Sequence, residues 1–177
     1  MDKITEKVYL GDCFGAEKEE QIKEHNIKRV LSCMGNLSPK YKDQSIVQKI
    51  IKISDFPEAN IMQYFKDSIK FIDESEKVFV HCFAGVSRSA TLVIAYFMWK
   101  DKMSFKESLK FVQKHRMVTP NAGFRKQLLI LEDKLKEANY DLDKIDFSDI
   151  TWPPKEGIPN DFDYIYMARS SFCIVII

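Results

Sequence analysis

An α/β fold, with a central, mostly parallel sheet flanked by helices, is predicted by three observations. Short β-rich apolar runs alternate along the chain with longer helical stretches, the order from which parallel sheets are built. The run K-V-F-V-H at 77–81 is short and apolar, as a strand buried in a parallel sheet should be. That run passes through a loop bearing Gly85 straight into an apolar helical stretch from Ser87. A site in such a fold belongs at the carboxyl ends of the strands.

The elements follow in order. Residues 4–10 read as a strand ended by Gly11, and 15–26 are charged and helical. Residues 27–33 (I-K-R-V-L-S-C) predict a strand ending at Met34-Gly35-Asn36, and 45–53 alternate as a strand does. Residues 60–75 place Ile61, Met62, Tyr64, Phe65, Ile69 and Ile72 at the spacing of an amphipathic helix. After the 77–81 strand come three helical stretches, 87–100, 104–116 and 121–138. The second opens S-F-K-E, a capping-box pattern. Residues 140–177 differ, with acids, prolines and aromatics in W-P-P-K-E-G-I-P-N-D-F-D-Y and a final S-S-F-C-I-V-I-I. They are expected to be partly extended and to pack their aromatics on the rest. Cys173 is fifth from the last residue rather than fourth, which argues against a prenylation box.

Composition removes several function classes. The 177 residues suit one domain with a sizeable core. A net charge of +1 gives no general pull toward nucleic acid or anionic membrane. Met1–Lys7 is polar, unlike a secretory signal, and the apolar run to Trp99 is too short to span a bilayer. Cys13, Cys33, Cys82 and Cys173 are scattered and form no spaced pairs with His25, His81 or His115. Neither a zinc site nor a secreted disulfide framework is expected, and no cofactor or metal is implied. A reducing compartment, cytoplasmic and also nuclear, suits a reactive thiol.

Residues 80–90, V-H-C-F-A-G-V-S-R-S-A, carry the chemistry. If this loop closes around a phosphate, Cys82 is the nucleophile, because a thiolate beside a helix N-terminus and an arginine is the reactive form. The backbone N–H groups of Phe83, Ala84, Gly85, Val86, Ser87 and Arg88 would face the anionic oxygens. The Arg88 fork would hold two of those oxygens. Ser87 and Ser89 suit an N-cap and first turn, and Gly85 allows a sharp turn or a close approach. The helix would aim its positive end at the same point.

H-C-F-A-G-V-S-R-S resembles the H-C-x5-R signature of the protein tyrosine phosphatase superfamily, and its A-G-x-S-R-S form is similar to the dual-specificity branch. The resemblance spans about residues 4–139, so 1–139 is expected to be the catalytic domain and 140–177 an extension of unknown role. It implies a tyrosine-phosphatase-like fold with the phosphate-binding loop between a strand and a helix. Asp55, in I-S-D-F-P-E-A-N-I-M-Q-Y-F after the 45–53 strand, resembles the family's general acid, with Glu58 as the rival. Cys82 would attack phosphorus while Asp55 protonates the leaving oxygen. Asp55 would then activate water against the cysteinyl-phosphate. Ser89 matches the hydroxyl that bonds the sulfur. His81 is expected to order the loop. T-P-N-A-G-F-R-K-Q-L at 119–128 resembles the segment in which an asparagine, here Asn121, caps a helix and braces the phosphate loop from behind. Cys33 ends a strand expected beside that of Cys82. It is a candidate redox partner, as at a similar position in lipid-phosphatase relatives, or a small buried thiol.

Phe83, Ala84 and Val86 carry no charge, which argues for a phosphorylated protein substrate over a phosphoinositide or an RNA 5′-phosphate. Hydrolysis of phosphotyrosine and phosphoserine or phosphothreonine is the expected reaction. The same chemistry on a non-protein phosphoester and a phosphate-binding pseudophosphatase are the alternatives. No nucleic-acid or membrane partner is expected, and the sequence leaves the oligomeric state open.

Overall fold

The computed structural model describes residues 1–158. The last residues of the chain, with Cys173 and the final apolar run, lie outside the described residues.

Five strands form one mixed sheet in the order β1-β2-β5-β3-β4. They are β1 (Asp2–Lys3), β2 (Val8–Gly11), β3 (Arg29–Ser32), β4 (Val47–Ile50) and β5 (Val78–His81). Only β1 runs antiparallel, against β2. The other pairings are parallel, as the sequence predicts. Successive side chains of a strand point to opposite faces, and β5 uses both. Val78 and Val80 join the larger core, and Phe79 joins a smaller one on the other face.

The larger core is organised by α4 (Arg88–Lys100). Every residue from Ser89 to Met98 is buried, so this helix is apolar all round rather than striped. Around it pack α3 (Phe65–Asp73), α5 (Phe105–Gln113) and α6 (Ala122–Glu137), which supply Phe65, Val112 and Leu128 among others. On the opposite face α1 (Cys13–Glu17) and α2 (Glu19–Glu24) bring Ala16 and Ile22 against Tyr9, Val30 and Phe79. Each fully buried Leu, Ile or Phe contributes about 1.5–3 kcal/mol. Two such layers give the carboxyl edge of the sheet a rigid base.

Local chemistry explains where the elements depart from the sequence reading. Residues 4–10 are not one strand, because the Thr5 hydroxyl accepts from the N–H groups of Lys7 and Val8. The Ile4 and Thr5 amides bond the Val8 carbonyl. A tight turn results, and β1 folds back on β2. The 15–26 helix is two helices, broken at Lys18 (φ −85°, ψ 72°), and the first begins earlier because Asp12 accepts from Gly15 N–H at 2.8 Å. β4 stops at Ile50, where its neighbour β3 has ended at the paired Ser32. Residues 60–75 enter α3 through a 3-10 turn, Met62–Tyr64. Ser104 caps α5 with Glu107 answering, as the capping-box pattern predicts.

Candidate active site

Cys82 leaves β5 at the centre of the sheet and is 1% exposed. Its Sγ accepts from Gly85 N–H and from the Ser89 hydroxyl, both at 3.2 Å. The loop between them turns its carbonyls outward. The carbonyl of Phe83 accepts from Cys13 N–H (3.0 Å), and that of Val86 from Thr119 N–H (3.0 Å). The carbonyls of Ala84 and Gly85 both accept from Arg116, at 2.9 Å each. The Ser87 carbonyl accepts from Thr91 within α4. With the carbonyls bonded outside, Gly85 N–H is turned to the inside, where it meets Sγ. Gly85 has φ +68°, and a Cβ there would lie 2.4 Å from the Gly11 carbonyl oxygen, so glycine is required on both counts.

Arg116 was not legible as a site residue. It follows α5, keeps only 15% of its side chain exposed, and pairs with Asp2 at 2.5 Å and Asp12 at 3.4 Å. Its one sequence signal is its place three residues before the 119–128 segment that resembles the family's. Residues 116–121 thus splint the outside of the loop, with Arg116 on two carbonyls and Thr119 on a third.

Arg88, the first residue of α4, is 16% exposed. Its Nη1 donates to the carbonyls of Cys33 (3.2 Å) and Ile53 (3.4 Å), so the guanidinium lies across the segments that follow β3 and β4. Its Nε lies 3.6 Å from Asp55 Oδ2. Asp55 Oδ1 accepts from the Ser87 hydroxyl (2.6 Å) and from the Asn121 side-chain amide (2.9 Å). The site therefore collects Cys82, Arg88, Ser87, Ser89 and Asp55 at one edge of the sheet. Glu58, the rival acid, is exposed, and these bonds run to Asp55 instead.

Two expected roles are corrected. The Asn121 oxygen caps α6 by accepting from Phe124 N–H (2.9 Å), as read from sequence, but its amide nitrogen holds Asp55 rather than the back of the phosphate loop. Only its backbone N–H reaches that loop, at the Ser87 hydroxyl (3.2 Å). Ser87 occupies the N-cap of α4, yet its side chain caps nothing and serves Asp55.

His81 is fully buried, stacked on Phe79, with Nε2 at 2.6 Å from the Ser32 hydroxyl. Gln48 donates to that same hydroxyl at 2.8 Å. Burial pushes the His81 pKa down to about 4, against a backbone hydrogen bond at Cys82 and the charge of Asp12. The unfolded chain, with histidine near 6.5, takes up this proton first. Stability contributed by the neutral ring is complete above pH ~6.5 and drains as pH falls toward 4, by on the order of 3 kcal/mol. Urea unfolding at pH 7 and pH 4.5 should show this loss, and His81→Gln should flatten it. An equal loss in the variant would assign the acid sensitivity elsewhere.

Cys33 follows Ser32 as Cys82 follows His81, and Ser32 and His81 are register partners on adjacent parallel strands. The Cys33 N–H donates to the His81 carbonyl at 2.8 Å. Burial, then the neighbouring Cys82, pushes the Cys33 thiol well above its ordinary range, so it is a protonated thiol at neutral pH. Cys13, Cys33 and Cys82 are all free.

Comparison with known proteins gives the same picture from another side. Residues 8–134 match the family model described as dual specificity phosphatase, catalytic domain. Dual specificity protein phosphatase 1 of Arabidopsis thaliana is 36% identical over 138 residues, covering 75% of this chain and 69% of that protein. Dual specificity protein phosphatase 22 of Xenopus laevis is 41% identical over 133 residues, 72% of this chain and 63% of that one. Among solved structures, the human tyrosine phosphatase-like serine/threonine/tyrosine-interacting protein superposes with a TM-score of 0.71 at 32% identity. That match covers 79% of this chain and 97% of the other.

Proposed function

The chain belongs to the dual specificity phosphatase family, whose catalysis is cysteine-based, and from its site we propose that it hydrolyses phosphotyrosine and phosphoserine or phosphothreonine in phosphoproteins through a cysteinyl-phosphate. The observation that carries the reading is the cradle itself. Cys82 Sγ accepts from Gly85 N–H and the Ser89 hydroxyl, and a carboxylate is pinned beside the loop by the loop's own Ser87.

The first step forms a sulfur–phosphorus bond as the phosphorus–oxygen bond to the leaving group breaks. Asp55 gives its proton to the departing oxygen. In the second step Asp55 takes a proton from water, the water oxygen joins phosphorus, and the sulfur leaves as thiolate. Ser89 donates to the sulfur as it leaves. Arg88 and the loop amides stabilise the charge on the transferring group in both steps. Asp55 Oδ1 is occupied by two donors, and Oδ2 faces Arg88 Nε at 3.6 Å.

The rim supports a protein substrate. Phe83 (57% exposed), Phe56 (65%) and Phe14 (68%) stand on the three segments that meet at the loop. They offer apolar surface to a phosphotyrosyl ring and to neighbouring peptide side chains. The reading extends to signalling in a reducing compartment, cytosol or nucleus, because the nucleophile must stay a free thiol. The near-balanced charge favours no nucleic-acid or membrane partner.

Asp55→Ala should lower kcat/KM on phenyl phosphate by about 10²-fold. The same variant should capture phosphoproteins that wild type releases. Full activity in Asp55→Ala would move the acid to Glu58.

A further inference from the structure

Residues 140–152 lie beyond the matched residues 8–134. They nevertheless run over the catalytic domain to its acid loop. The Tyr140 carbonyl accepts from the Trp99 indole (2.9 Å), and the Ile145 carbonyl from Lys66 (3.1 Å). Ile145 is 3% exposed, and Phe147 meets Phe65 edge to face at 6.1 Å. Asp149 pairs with Lys134 of α6 at 3.0 Å. The segment ends on Trp152, which packs against the core and whose Nε1 donates to the Pro57 carbonyl at 3.2 Å.

Pro57 is two residues from Asp55. The loop it belongs to is tied at both ends by the family-matched part of the chain. Ser87 and Asn121 hold Asp55. Gln127 holds the far end, accepting from Ile61 N–H (2.7 Å) and donating to the Ala59 carbonyl (2.9 Å). Between them the Pro57 carbonyl presses so closely on α6 that a Cβ at Gly123 would lie 1.9 Å from its oxygen. Trp152 supplies a hydrogen bond to that carbonyl, from outside the matched residues.

We propose that residues 140–152 are a strap that sets the placement of the general acid, with Trp152 as a positioning residue for Asp55. The proposal rests on the assignment of Asp55 as the acid. Proton donation falls steeply with small displacements of the donor, so a carbonyl freed at Pro57 slows cysteinyl-phosphate formation, the step in which Asp55 is the acid. That step is bond cleavage to a poor leaving group. An activated leaving group needs little protonation.

The test compares kcat/KM, which reports cysteinyl-phosphate formation, on phenyl phosphate and on difluoromethylumbelliferyl phosphate, using the full chain. Trp152→Ala should lose about 10-fold on the first and under about 2-fold on the second. Trp152→Phe keeps an aromatic ring and removes the N–H, and should lose about 3-fold on phenyl phosphate alone. In an Asp55→Ala background, Trp152→Ala should add no further selective loss, because the group it positions is gone. Equal losses on both substrates, or none in Trp152→Phe and Trp152→Ala, would overturn the strap while the acid assignment stands. If Asp55→Ala itself shows no leaving-group selectivity, the acid assignment fails, and the strap with it.

Discussion

Cys82→Ser is expected to abolish phosphate-ester turnover, by more than ~10⁴-fold, while leaving the fold intact. The side chains are nearly the same shape, and the two donors at 3.2 Å from Sγ, Gly85 N–H and the Ser89 hydroxyl, would both find an oxygen acceptor instead. What changes is ionisation. The thiolate is the nucleophilic form of cysteine, whereas an alcohol needs a base to take its proton. The nearby His81 is spent on Ser32, behind the strand. The check is p-nitrophenyl phosphate turnover in EDTA beside a thermal melt of each protein. Turnover surviving in a folded Cys82→Ser would remove the cysteinyl-phosphate from the mechanism.

Arg88→Lys is the second large effect. A loss of about 10³-fold in kcat/KM is expected, although the charge is kept. The guanidinium reaches Cys33 and Ile53 through Nη1 and faces Asp55 with Nε. One planar group therefore anchors to the segments that follow β3 and β4 and approaches Asp55 with different nitrogens. Lysine offers a single nitrogen, which cannot span both carbonyls and also present a fork to two phosphate oxygens. Steady-state rates with inorganic phosphate as competitive inhibitor would separate the two losses. A variant within tenfold of wild type would show that charge alone, not the fork, is used.

The parts legible from sequence were those whose partners are close along the chain. The 77–81 strand, the Gly85 loop and the following helix lie within a few residues of one another, and Ser104 and Glu107 cap α5 three residues apart. The parallel sheet followed from alternation alone. The site was harder where a side chain has two ends or two uses. Sequence gives the Asn121 oxygen its helix cap but does not say where the amide nitrogen goes, and Ser87 at an N-cap position need not cap. Arg116 and Trp152 were invisible for a different reason. Each acts through a carbonyl oxygen, on Ala84, Gly85 or Pro57, and a carbonyl leaves no trace in residue identity. The hairpin at Thr5 was missed because one hydroxyl decided it.

The Ser87 hydroxyl, which gives its hydrogen to Asp55 and takes one from the Asn121 backbone, makes one gear of two wheels. Asp55 cannot move away without pulling on the loop that carries Cys82. Through that one hydroxyl, displacement of the Asp55 carboxylate and displacement of the 82–88 loop are coupled.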